Sequence, residues 1–263
     1  MNVSVLPDIA VFFMLMFGRM GSMMMLLPAI GESGIPARIR LAFAVLVVLV
    51  AYPVASPLYP AGLAGNPPRL ILLLASEIAV GLFVGLAARI VMAAAQVAGT
   101  TIANQLGLGF AMAVDPTQGQ QGVVVGNFVA LLATTLVFAF DLHHLAIAGL
   151  TGSYRLFPPG QLMPVGDFAE AAVTMVGQSF KIGVQISAPF LAFGLVFQLG
   201  LGVLSKLMPA FQIFFVAMPL NIGMGFALLA LVLGTIMLWY MEHVRDGLAR
   251  FSTAALTAAG LPV

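Results

Sequence analysis

Residues 70–103 read LILLLASEIAVGLFVGLAARIVMAAAQVAGTTIA, thirty-four residues holding two charged side chains, Glu77 and Arg89. Apolar residues run through the stretch without the alternation of a half-buried strand, and no proline interrupts it. At 1.5 Å per residue a helix over 70–103 reaches about 50 Å, against a hydrocarbon core of about 30 Å. Such a helix must tilt steeply, bend or leave the bilayer. The rest of the chain repeats the pattern. Of 263 residues 62% are hydrophobic and 7% charged, with a mean hydropathy of +1.12. Soluble domains carry about 25% charged residues, so a water-soluble fold is excluded.

Apolar runs at about 9–30, 41–63, 70–98, 123–150, 171–201 and 207–241 predict six membrane helices, since a span needs about 20 residues. Pro189, Pro209 and Pro219 predict kinks in the last two, which are joined so tightly that an antiparallel hairpin is expected. The connections GESGIPARIR, AGNPPR and GSYRLFPPGQLMPVGD are rich in Gly and Pro, the composition of chain reversals. The fold class is therefore all-α, a polytopic membrane protein of long, kinked helical hairpins. Neither a soluble domain nor an internal repeat is evident, so 1–263 reads as one membrane-embedded domain. The N-terminus MNVSVLPDIA lacks the basic region of a cleaved signal, and the first run is expected to stay. Arg69, Arg155, Arg245 and Arg250 fall on one side, Arg38, Arg40, Lys206 and Arg89 on the other. That near tie leaves the positive-inside rule indecisive and suits helices placed by partner subunits.

A net charge of +1 with no basic patch excludes nucleic acid as a partner, and the absence of cysteine excludes thiol chemistry. No HExxH, GxSxG or P-loop is present, so no enzyme and no cofactor is expected. DLHH places Asp141, His143 and His144 within one turn. A catalytic zinc site needs three ligands in the right geometry, and these groups read instead as polar residues at a helix end or membrane interface; no metal is expected. Arg19, Glu77, Arg89 and Lys181 interrupt apolar runs, where charge is costly and faces protein or water. A proton relay wants acids or histidines in series, and only Glu77 is available. Pairing between helices or subunits is the better reading. Gly81 and Gly85, with alanines nearby, form a small-residue face suited to close packing. Methionines 14, 16, 20 and 23–25 read as core filling rather than a compliant surface around cargo.

The segment from Gly107 to Gly122, GLGFAMAVDPTQGQQG, breaks the apolar pattern. Gly107, Gly109 and Asp115-Pro116 disfavour a helix, while Leu108, Phe110, Met112 and Val114 are too apolar for a solvated loop. Irregular backbone at membrane depth is tolerated only where protein buries it or it lines a wet cavity. Physical chemistry leaves two readings open, a pore-facing loop and a plain interfacial connection.

Four blocks carry a family resemblance. GRMGSMMMLLPAIGESGIPARIRLAFAV, SEIAVGLFVGLAARIVMAAAQVAGTTIANQLGLGFAMAVDP, FDLHHLAIAGLTGSYRLFPPG and GLGVLSKLMPAFQIFFVAMPLNIGMG occur in order between about Phe17 and Leu233. They resemble the FliR family, flagellar export-gate subunits that include the equivalent subunit of virulence-type secretion machines. Val114 stands where the flagellar pattern more often has Phe. The resemblance implies a non-enzymatic subunit of the type III export gate in the inner-membrane basal body. There it would assemble with FliP and FliQ into a helical, conical channel for unfolded flagellar proteins, with FlhB docked on the cytoplasmic side. It further implies that the segment at Gly107, Leu108, Gly109, Phe110, Met112, Val114, Asp115 and Pro116 plugs the channel. The rival readings are a small secondary transporter using Glu77 and Arg89, and an intramembrane enzyme using His143 and His144.

Overall fold

The computed structural model describes residues 5–28, 30–32, 34–60, 62–108, 121–160, 165–208 and 213–257. Among them every regular element is helical: α1 (Val5–Leu26), α2 (Ala37–Ala55), α3 (Pro67–Gln105), α4 (Gln121–Ala139), α5 (Leu142–Leu156), α6 (Val165–Leu207) and α7 (Ile213–Thr257). Two short 3-10 turns, Ser56–Leu58 and Leu63–Gly65, link α2 to α3. Five of the described helices are long and apolar enough to cross a membrane, or six spans if the bent pair α4–α5 counts as one. The chain is an all-α polytopic membrane protein.

Three helices far exceed the bilayer. α3, α6 and α7 hold 39, 43 and 45 residues, hence about 58, 64 and 67 Å. The fourth apolar run, expected as one helix over 123–150, is corrected to two, bent by 77° at Phe140–Asp141. Asp141 has φ 57°, the one described non-glycine residue with positive φ. Aspartate tolerates this left-handed geometry better than the apolar residues around it, so the chain turns there. Pro53, Pro189 and Pro219 lie inside helices. Pro209 lies outside the described residues, and the tight connection expected over 202–209 is corrected: residues 202–207 continue α6 to its end at Leu207.

The chain divides into two compact units, and α3, α4, α6 and α7 contribute residues to both. The first comprises Met1–Val91, Phe138–Met175 and Val244–Val263. Within it α1 and α3 approach closely on the small-residue face predicted from the sequence. A Cβ on Gly85 would lie 2.7 Å from the Met23 carbonyl oxygen, and one on Gly81 would collide with Arg19 and Ser22. Only glycine permits that approach. Leu15, Met16, Met20, Met23 and Met24 of α1 are buried there, so these methionines fill the core.

The second unit comprises Met92–Val137 and Val176–His243. Here α3 crosses α4 at two glycines, a Cβ on Gly99 falling 2.6 Å from the Gly126 Cα. Gly183 of α6 faces Val97, and Gly225 of α7 faces Leu106. α3 then ends in a glycine motif. Leu108 N–H donates to the Ala103 carbonyl at 3.1 Å and Gly107 N–H to the Asn104 carbonyl at 3.1 Å, with Gly107 at φ 81°. This is the Schellman pattern that terminates helices. The Asn221 side-chain amide of α7 donates to the Gln105 carbonyl at 3.2 Å, capping one of the acceptors that a helix end leaves free.

A buried arginine clasp as candidate functional site

The most chemically distinctive place among the described residues lies in the first unit, around Arg19. Glu77 sits one helical turn before Gly81, so the glycine that admits α1 also sets the depth at which Arg19 meets α3. Arg19 Nε donates to Glu77 Oε2 at 2.5 Å and Arg19 Nη2 to Glu77 Oε1 at 3.0 Å, a two-pronged pair. Arg19 Nη1 donates to the carbonyls of Ser153 at 3.2 Å and Phe157 at 2.9 Å, at the end of α5. The guanidinium therefore rests on the negative end of a helix dipole as well as on a carboxylate. Its carbon lies 4.3 Å from the centre of the Tyr154 ring, within range of a cation–π attraction. Arg19 and Glu77 are each 2% exposed.

Tyr59, just beyond the first 3-10 turn, completes the cluster. Its hydroxyl donates to the Tyr154 hydroxyl at 3.5 Å, and its ring meets the Tyr154 ring edge-on at 6.3 Å and stacks on Phe12 at 5.9 Å. Burial, with Tyr154 and Glu77 close by, pushes the Tyr59 hydroxyl far above the ordinary tyrosine range, so it stays protonated. Arg19 thus ties α1, α3 and α5 together, and Tyr154 joins the α2–α3 connection to them through Tyr59.

This arrangement is a clasp. A buried charge is tolerated when its partners satisfy it, and four N–H contacts plus a ring face do so here. Glu77, held by two prongs, has no histidine or second acid beside it among the described residues from which a proton chain could be built. The sequence anticipated that Arg19 and Glu77 carry the buried charge but missed Tyr59, Tyr154 and the carbonyls of Ser153 and Phe157. A carbonyl leaves no mark in sequence. Tyr154 was visible within GSYRLFPPG but was read only as part of a chain reversal.

The other predicted sites fall elsewhere. Arg89 and Lys181 are exposed and have no ion-pair partner among the described residues. Of the segment after α3, Gly107 and Leu108 are placed; Gly109, Phe110, Met112, Val114, Asp115 and Pro116 lie outside the described residues. Asp141, His143 and His144 sit at the α4–α5 bend with their ligand atoms within 4.8 Å of one another. His144 Nδ1 lies 3.7 Å from Asp141 Oδ1, and both residues are largely exposed.

The family described as "Bacterial export proteins, family 1" matches residues 10–247. The chain belongs to that family. It is 42% identical over 242 residues to the "Flagellar biosynthetic protein FliR" of Caulobacter vibrioides, covering 90% of this chain and 94% of that one. It is 29% identical to the protein of the same name in Bacillus subtilis, covering 87% and 88%. Its likeness to the "Yop proteins translocation protein T" of Yersinia pestis is 26%, covering 62% and 63%. This family member is an all-helical membrane protein related to components of both flagellar and Yop export.

Proposed function

We propose that the chain, over 1–263 as one membrane-embedded domain, is the FliR-type subunit of a flagellar type III export gate in the bacterial inner membrane. It assembles with FliP and FliQ, meets FlhB on the cytoplasmic side, and passes unfolded flagellar proteins without catalysing a reaction. One observation carries this reading: the likeness to a flagellar relative runs at 42% identity over nine-tenths of both chains. It exceeds the likeness to the Yop protein in identity and in length, which favours the flagellar machine over the virulence-type one. Helices of 39 to 45 residues agree with a setting in which subunits, rather than lipid alone, hold them. The doubly held Glu77 counts against a transporter that would use it as a moving ion site.

Within that reading the segment 107–122 closes the channel. Its apolar half, with Leu108, Phe110, Met112 and Val114, can exclude water from a narrow pore and still be displaced by a passing chain. Affinity purification of the tagged chain from membranes tests assembly, with recovery of FliP- and FliQ-type subunits expected. A stable, monodisperse monomer purified without partners would count strongly against it. Deleting Phe110 to Val114 tests the closing role separately. The complex is expected to assemble and the membrane to leak small ions, and an assembled deletion no leakier than the parent returns the segment to a plain connection.

A further inference from the structure

A second site lies in the first unit, beside Tyr154. α2 and α5 flank an apolar groove of about 770 Å3 whose floor includes Met20. Its walls are apolar from Phe43 of α2 to Leu58 of the 3-10 turn after it, and its polar side chains are Thr151, Tyr154 and Arg155, all from α5. Arg155, in the last turn of α5, is exposed and has no hydrogen-bond or ion-pair partner among the described residues. The Tyr154 hydroxyl meets Tyr59, the residue after Leu58. The charged end of the groove is therefore at Leu58, where the membrane-length stretch Ala37–Leu58 stops.

We infer that this groove holds one acyl chain of an anionic phospholipid from the surrounding bilayer, with the phosphate at Arg155. Three observations carry it. First, the groove runs from Phe43 of α2 to Leu58 of the 3-10 turn after it, about 22 Å, which leaves roughly 35 Å2 of cross-section. That is slender against a helix of about 10–12 Å diameter and suits a hydrocarbon chain. Second, the outer wall is uncovered and apolar: Val50 and Val54 are 79% and 74% exposed. Water does not fill such a groove at membrane depth. Third, a lone cation, Arg155, beside Tyr154 at the end of a spanning segment has the charge and the interfacial position that an anionic headgroup recognises. The site requires only that α2 lies in a bilayer and is independent of the export role.

The test is native mass spectrometry of the full-length chain, purified with its co-purifying subunits in mild detergent and then offered phosphatidylglycerol or phosphatidylcholine. The parent is expected to retain phosphatidylglycerol preferentially. Arg155→Gln, an exposed change, is expected to lower phosphatidylglycerol retention about fivefold, the equivalent of about 1 kcal/mol per basic side chain at the surface, and to leave phosphatidylcholine unchanged. Val50→Trp, which fills the groove, is expected to lower retention of both while the subunits still co-purify. Equal retention of the two lipids by parent and Arg155→Gln would overturn the headgroup assignment. Loss of subunits with lipid retained in Val50→Trp would show instead that a protein helix occupies the groove.

Discussion

Near its start α3 offers Glu77 to the Arg19 guanidinium of α1; near its end it offers Gly99 to Gly126 of α4. Both contacts bring helices unusually close, and both begin from small residues, since Gly81 and Gly85 lie beside the first as Gly99 lies within the second. They differ in what remains at the centre. The first buries charge and satisfies it with a carboxylate, two carbonyls and a ring. The second buries nothing polar and depends on backbones meeting without side chains between them. A polar clasp is vulnerable to losing an atom group; a glycine crossing is vulnerable to gaining one.

The largest effect is expected at the clasp. Glu77→Ala leaves Arg19 buried with an unpaired charge, which costs about 3–5 kcal/mol. The yield of assembled complex and its melting temperature in detergent should both fall. The paired change Arg19→Met with Glu77→Leu should cost less than Glu77→Ala alone, because it removes both charges together. If Glu77→Ala instead assembles normally and uncouples export from the proton gradient, Glu77 is a relay and the clasp interpretation fails.

A smaller loss is expected at the crossing. Gly99→Ala places a methyl 2.6 Å from the Gly126 Cα, so α3 and α4 must part. Overpacking of this kind costs about 1–3 kcal/mol, against a gain of about 0.5–1 for replacing a helical glycine. Gly177→Ala is the control, since nothing lies within 4 Å of its added Cβ and only the helical gain remains. Melting curves of the two variants should move in opposite directions. If both fall alike, Gly177 lies under a partner subunit.

Next comes the end of α3. Gly107→Ala forces a side chain into left-handed geometry at φ 81°, at about 1–2 kcal/mol, without disturbing the clasp. Amide exchange over 100–108 should quicken in this variant while peptides around Arg19 keep their protection. Equal quickening at both places would show that the two contacts are coupled rather than independent.

What was legible beforehand follows from which forces sequence can display. Length and hydropathy carry the helices, because every span must be apolar over its whole length, and so the six runs were visible. The break at Asp141 was legible only in part: DLHH read as polar residues at a helix end or interface, but that the run 123–150 turns by 77° there depends on one backbone angle. Arg19 and Glu77 stood out because charge is rare here. Their partners at Ser153 and Phe157 did not, since any residue supplies a carbonyl and only the fold decides which. Gly107 was read as a point where helical geometry ends, and its left-handed angle gives the reason.

The smallest expected effect concerns how dry the clasp is. Burial, reinforced by Tyr154 and Glu77, holds the Tyr59 hydroxyl protonated far above the usual tyrosine range. In the unfolded chain a tyrosine ionises near about pH 10. A group whose folded pKa is raised contributes stability that is whole below the unfolded value and is lost as pH rises past it. The window in which Tyr59 weakens the fold therefore opens only above about pH 10, and at neutral pH it contributes no pH dependence. Phenolate absorbance of the folded protein, compared with Tyr59→Phe between pH 9 and 11, should give superimposable curves. A difference growing through that range in still-folded protein would mean that water reaches Tyr59. The clasp would then be a wet cluster, closer to a relay than to the sealed contact that separates it from the glycine crossing.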